Sequence, residues 1–255
     1  MEQTSYKFPS EVVTLPSKGL LYSEDSPLRK GEVEMKYMTA REEDILTNVN
    51  YIKNGTVLDK LIQSLIVEKI NYDDLLIGDK NAVLIAARIL GYGAEYVIKK
   101  THPQTGQEEK VSIDLTSLND KELDNSLVNE GKNEFEFQLP ASKRTITFKL
   151  LTHGDEKKIT QELEGLKRLN REGFEGTTRL KHTIVAVDGN FDTKIVREFI
   201  DKSLLARDAR ALRLHVKEIS PDTELKGDLT YSDGYIEYGV PFPLGVDFFW
   251  PDVGV

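Results

Sequence analysis

The sequence predicts an α+β protein made of two related halves, each running strand, helices and then β-hairpin. Three observations carry this. The first is an amphipathic helix over 203–221. Leu205, Ala209, Leu212, Val216 and Ile219 share one face, and Arg207, Arg210, Arg213 and Lys217 share the other. Asp208 stands in the first turn, where the helix dipole favours a carboxylate, and Pro221 lies just past the end. The second is an echo of that helix over 74–92. Leu75, Leu76, Asp79 and Ala82 match Leu204, Leu205, Asp208 and Ala211 as identities, while Val83, Ala87 and Leu90 match Leu212, Val216 and Ile219 in character. The third is that the flanks echo too. Leu15-Pro-Ser-Lys18 returns as Leu139-Pro-Ala-Ser-Lys143. Glu32-Val-Glu-Met-Lys-Tyr-Met-Thr39 returns as Thr145-Ile-Thr-Phe-Lys-Leu-Leu-Thr152. Each of the longer runs alternates like a strand and ends in a Thr with a carboxylate three residues later, the spacing of a capping box. Repeats this long indicate duplicated domains rather than a solenoid unit.

Taken in order, residues 1–30 carry Pro9, Pro16 and Pro27 and no helical period, which predicts an extended arm with turns. The first half spans 31–118. Val33, Met35 and Tyr37 alternate as a half-buried strand, and a helix follows over 40–53, stopped by Asn54-Gly55. Thr56 caps a second helix that buries Leu58, Leu61, Ile62, Leu65 and Ile66. After the helix over 79–90, segments 95–101 and 110–115 form a hairpin across His102-Pro-Gln-Thr-Gly-Gln107. A polar, acidic linker covers 119–132. The second half, 133–255, opens with strands over 134–139 and 145–151. A helix from Asp155 buries Ile159, Leu163 and Leu166. The apolar run 180–187 fits a helix or a strand, and its counterpart in the first half favours helix. A helix through Ile195, Phe199 and Ile200 follows Asp188-Gly-Asn-Phe-Asp192. Past Pro221 a second hairpin turns at Ser232-Asp-Gly234, and the half ends in an aromatic tail, Val246-Asp-Phe-Phe-Trp250.

Composition narrows the function. A chain of 255 residues that is 39% hydrophobic and 30% charged has the make-up of an ordinary folded protein. A net charge of −9 argues against general binding to a phosphate backbone, which needs a basic surface. With no cysteine there is no disulfide, thiolate metal site or catalytic thiol. No apolar run at the first residues reads as a secretory signal, so the expected place of synthesis and action is the cytoplasm.

No catalytic constellation emerges. His102, His153, His182 and His215 stand far apart without metal-ligand spacing and read as surface or turn residues, so no metal and no cofactor is expected. Gly91-Tyr-Gly93 follows a helix instead of opening one, unlike a dinucleotide fingerprint. Two features stand out as candidate partner-binding surfaces. Arg210, Arg213 and Lys217 would meet an acidic partner, against the competing reading of a solvated face. In the tail, alternation turns Phe248 and Trp250 inward and Phe249 outward, where an exposed aromatic favours a partner.

The run Leu204-Leu-Ala-Arg-Asp-Ala-Arg-Ala-Leu-Arg213, then Lys217-Glu-Ile-Ser-Pro-Asp222 and the aromatic stretch to Asp252, resembles the baseplate hub and hub-assembly proteins of T-even-type contractile-tailed phages. Leu15-Pro-Ser-Lys-Gly19 and Lys36-Tyr-Met-Thr-Ala-Arg-Glu-Glu-Asp44 resemble the N-terminal half of the same family, so the likeness runs from about residue 12 to 252. The resemblance implies a morphogenetic protein, not an enzyme. It would act by contacts with hub proteins and the tape-measure protein, in the host cytoplasm during assembly or in the virion tail. Members of that family often carry C-x-x-C pairs, like zinc knuckles, at two hairpin tips. Here the tips read Thr101-His-Pro-Gln-Thr-Gly106 and Tyr231-Ser-Asp-Gly234, so a zinc role does not carry over. The alternative is a cytosolic enzyme whose carboxylate and histidine site is assembled non-locally. Nucleic-acid binding would have to rest on the 207–217 stripe alone.

Overall fold

The computed structural model describes residues 9–121, 123, 126, 128–171 and 173–249, and among these the protein is a mixed α+β fold with eight α-helices and small antiparallel sheets. Strand β1 (Ser10–Thr14) pairs antiparallel with β2 (Glu32–Lys36), Val13 facing Val33. The chain between them folds back tightly instead of extending as an arm. Leu15, Leu21, Tyr22 and Leu28 are buried, and a short 3-10 turn over Pro27–Lys30 is capped by Ser26.

Thr39 and Glu42 form the predicted capping box at the start of α1 (Ala40–Leu46). The single helix expected over 40–53 is two. The Asn48 side chain accepts from the N–H groups of Asn50 and Tyr51 and so caps a separate α2 (Val49–Lys53), competing with the continuing helix. Helix α3 (Val57–Leu65) buries Val57, Leu61, Ile62 and Leu65. Beyond it, Ile66 bridges Met35 and the Val67 N–H donates to the Glu34 carbonyl, laying a third segment along β2. Helix α4 (Ile77–Tyr92) is the most enclosed of the helices, with Val83 and Ala87 fully buried. The first hairpin is β3 (Glu95–Thr101) with β4 (Glu108–Asp114). The linker is not free, because its β5 (Asp120–Lys121) pairs with β9 (Asp222–Thr223) from the far end of the chain.

In the second half β6 (Phe135–Gln138), β7 (Thr145–Phe148) and β8 (Ile184–Val187) make a three-stranded sheet in that order. Helix α5 (His153–Arg168) starts on the second capping box, Thr152 with Asp155. The apolar run 180–187 divides: its first residues end α6 (Glu175–Thr183) and the rest is β8, where Ile184, Ala186 and Val187 are buried. Helix α7 (Thr193–Lys202) turns Val196, Phe199 and Ile200 inward and leaves Ile195 exposed. Helix α8 (Ala206–Ile219) is followed by the hairpin of β10 (Lys226–Thr230) and β11 (Ile236–Pro241).

Similar contacts occur at two places along the chain. Asp79, in the first turn of α4, accepts from the Ser17 N–H at 2.9 Å. Asp208, in the first turn of α8, accepts from the Ala141 and Ser142 N–H groups at 2.7 and 3.0 Å. Lys36 pairs with the capping carboxylate Glu42 at 2.9 Å, and Lys149 with Asp155 at 2.8 Å. Val83 and Leu212 are both fully buried.

The halves also interlock. The Ile77 N–H donates to the Leu151 carbonyl and the His153 N–H to the Leu75 carbonyl, around a bridge between Leu76 and Thr152. Gly78 lies against Pro221 so closely that a Cβ would overlap the Pro221 carbonyl oxygen. One continuous hydrophobic core takes residues from both halves.

Candidate functional site

Helix α8 presents the sequence-predicted cations. Asp208 ties its first turn to the turn at 139–143, while Ala209, Leu212 and Ile219 face the core. That orientation leaves Arg207, Arg210, Arg213 and Lys217 exposed on the outer side, with Leu214 among them at 57% exposure. None of the four cations forms an ion pair among the described residues. Elsewhere cations are committed: Arg179 to Glu156, Arg197 to Glu162, Lys181 to Asp201 and Lys202 to Glu198. Arg210, Arg213 and Lys217 are thus brought together on an acidic protein as a strip with no ion pair among the described residues.

Two clefts flank this strip. One, of about 280 Å³, lies between α6 and α8, with Leu180, Leu212 and Val216 against it and Arg213 and Lys217 at its edge. The other, of about 580 Å³, lies where the start of α4 meets the end of α8, at Gly78, Pro221, Asp222, Lys121 and Lys217. Leu151, Val216 and Lys217 line both. The Lys121 ammonium donates to the Lys217 carbonyl, satisfying one of the acceptors left at the helix end. Neither cleft was legible in the sequence, since both depend on gaps between elements distant along the chain.

Phe249 is not part of any surface. The tail over Val246–Phe249 is a 3-10 turn rather than a strand, so alternation does not apply, and Phe248 and Phe249 are both buried. Phe248 stacks on Phe242 at 6.0 Å and meets the edge of Tyr96 at 4.9 Å. Its carbonyl accepts from Arg88 Nε at 3.1 Å, and the same buried guanidinium reaches the carbonyls of Gly93 and Glu95. Trp250 lies outside the described residues.

The histidines depart from expectation as well. His102 and His153 are buried, and His182 and His215 are half-buried. The His102 ring sits 4.5 Å from Tyr231 and 5.4 Å from Tyr235. Its Nδ1 accepts from the Gln104 and Thr105 N–H groups, and its Nε2 lies 3.4 Å from Asp233, so it joins the two hairpin tips. His153 Nε2 lies 3.0 Å from Asp59, with Lys80 Nζ 2.9 Å from its Nδ1 and 3.3 Å from Asp59. Burial pushes the Asp59 carboxyl up, but His153 and Lys80 outweigh it and hold the group below the usual carboxylate range. None of these three residues lines either cleft, so the cluster fastens α5 to α3 and α4. Among the described residues no group of three or more His, Asp or Glu side chains is placed to hold a metal ion.

A model of the family described as T4 bacteriophage base plate protein matches residues 11–165, more than half of the chain. The chain belongs to that family. It is therefore a phage baseplate protein with a structural or assembly role, and its setting is the virion tail. No curated protein matches, and no solved structure matches. The matched span takes in the Leu15-Pro-Ser-Lys-Gly19 turn, both capping boxes, α4 and most of α5. It ends before α8, so the cationic strip and the 204–222 motif lie beyond it. No helix among the described residues is long and apolar enough to cross a membrane.

Proposed function

We propose that this chain is a component or assembly factor of the central baseplate hub. In this reading it acts by contacts with hub proteins and the tape-measure protein, not by catalysis. The observation that carries the proposal is the exposed strip of Arg210, Arg213 and Lys217, without an ion pair among the described residues, on a protein of net charge −9. An acidic partner would find there the guanidinium and ammonium groups it needs, while the rest of the surface repels other acidic proteins. The repeated carboxylate–turn and capping contacts support reading the two halves as a duplication, with the first serving as scaffold and the second presenting the contact face. Assembly would proceed in the host cytoplasm.

The test is charge reversal in a phage carrying Arg210→Glu, Arg213→Glu and Lys217→Glu together. Being exposed, the triple variant should melt close to the parent, since such surface changes each stay within about 0.5 kcal/mol. Tails counted by electron microscopy should fall about tenfold, and hub and tape-measure proteins should no longer co-purify with the variant. Normal tail numbers with unchanged co-purification would reject the reading.

A further inference from the structure

We propose that the groove between α6 and α8 seats an acidic amphipathic helix of a partner protein. Its apolar side chains would rest on Leu151, Leu180 and Val216, over the buried Leu212, and its carboxylates would meet Arg213 and Lys217. This deepens the proposed function and rests on it, because it names the chemistry of the partner that the α8 face receives.

The size and lining of the groove set the kind of occupant. At about 280 Å³ it falls just under the span of roughly 300–1,000 Å³ typical of small-molecule sites, which suits a few apolar anchors of a peptide. Four aliphatic side chains line it, and an apolar trough between two helices is the standard seat for one face of a third.

The two polar edges differ in a way that selects charge. On the α6 edge, Arg179 is already committed, with two nitrogens on the Glu156 carboxylate at 2.5 and 3.0 Å and a third 3.4 Å from Glu175. On the α8 edge, Arg213 and Lys217 are exposed and carry no ion pair among the described residues. They stand four residues apart on one face, a like-charge spacing that disfavours the free helix and that carboxylates one turn apart on a neighbouring helix would relieve. Charge complementarity therefore points to an acidic helix.

Gly176 opens the same groove. It lies in the first turns of α6 and lines the cavity, and a Cβ there would meet nothing within 4 Å. No internal contact requires this glycine, although glycine inside a helix costs about 1 kcal/mol relative to alanine. What its bare backbone supplies is room for another chain to come close.

The experiment uses the full chain and three fluorescent probes in an anisotropy titration. One is a synthetic amphipathic helix with leucines on one face and glutamates on the other. The second replaces every glutamate by lysine, and the third is a single-stranded DNA 20-mer. The glutamate peptide should bind at least tenfold more tightly than either of the others. Gly176→Phe and, as a smaller obstruction, Gly176→Gln should each weaken it about tenfold while their melting curves match the parent. Arg213→Glu with Lys217→Glu should invert the preference between the two peptides. Equal binding of both peptides, tighter binding of DNA, or full affinity in both folded Gly176 variants would overturn the proposal. So would a concentration-dependent dimer of the parent that Gly176→Phe abolishes, since the groove would then seat a second copy. If the glutamate peptide fails while the triple charge reversal still blocks tail assembly, the groove falls and the hub reading stands. If the peptide binds and charge reversal leaves assembly intact, the hub reading falls and the groove stands.

Discussion

Two buried aspartates, Asp79 and Asp208, do the same mechanical job under opposite electrostatics. Each ties the first turn of an enclosed helix to a Leu-Pro turn from earlier in the chain. Burial is the largest influence on Asp79 and holds its carboxyl above the usual range, with hydrogen bonds from Ser17 and Tyr22 offsetting only part of it. Burial also pushes Asp208 up, but the Ala141 and Ser142 N–H groups and the charge of Arg207 outweigh it and leave it below that range. The signs of the resulting pH dependences differ. An unfolded Asp titrates near about 3.9. Asp208 therefore contributes stability that is present above about pH 4 and lost as pH falls through its lower folded value. Asp79 weakens the fold as pH rises through its raised folded value. Urea titrations over a pH series should show the Asp208→Asn deficit full at neutral pH and shrinking in acid. The Asp79→Asn deficit should be largest in acid and shrink toward neutrality. Parallel slopes for the two variants would contradict these environments. Both aspartates were legible in the sequence as first-turn carboxylates, but their partners were not, because the turns they bind lie more than 60 residues away.

At the scale of elements, both capping boxes, both hairpins and the faces of α4 and α8 follow from periodicity and turn chemistry alone, except that Leu205, expected on the core face of α8, stands at its N-cap and is exposed. The misses have local causes that a period does not report. Asn48 splits one helix into two through its own side chain, and the run 180–187 changes from helix to strand at Ile184. The tail adopts a four-residue 3-10 turn where strand alternation was expected, which moved Phe249 from surface to core. Within α8 the two faces should separate cleanly in denaturant. Leu212→Ala, at a fully buried position, should cost about 2–5 kcal/mol, and Phe249→Ala about 3–5. Arg210→Ala should stay within about 0.5. The reverse ranking in chemical denaturation would show the burial to be misassigned. Of the candidate site, the cations were legible because exposure follows from the helix period. The groove beside them was not, since it is a gap between α6 and α8.

For the whole molecule, the shared core argues that the two halves fold as one. Residues from both sit in one cluster, and backbone hydrogen bonds cross between 75–77 and 151–153. Expressed separately, 1–132 and 133–255 should each show weak, non-cooperative melting by circular dichroism, whereas the full chain should melt in a single transition. A sharp transition from either fragment alone would mean that the halves are independent domains. The sequence suggested two similar halves but not their union, because the contacts that join 75–77 to 151–153 match no repeat within either stretch.

The placement of Phe248 and Phe249 against α4 and β3 bears on how the chain is made. Residues near 90 are translated early, yet Tyr96 meets the Phe248 ring, and Arg88 the Phe248 carbonyl, only when residues near 248 emerge. Strand β5 waits in the same way for β9. The ribosome thus releases the first half with an apolar platform still bare, and pairings of such long sequence separation form slowly. During that interval the nascent chain is open to aggregation and to capture by chaperones, so its yield in an infected cell should be governed by how fast the last stretch is synthesised.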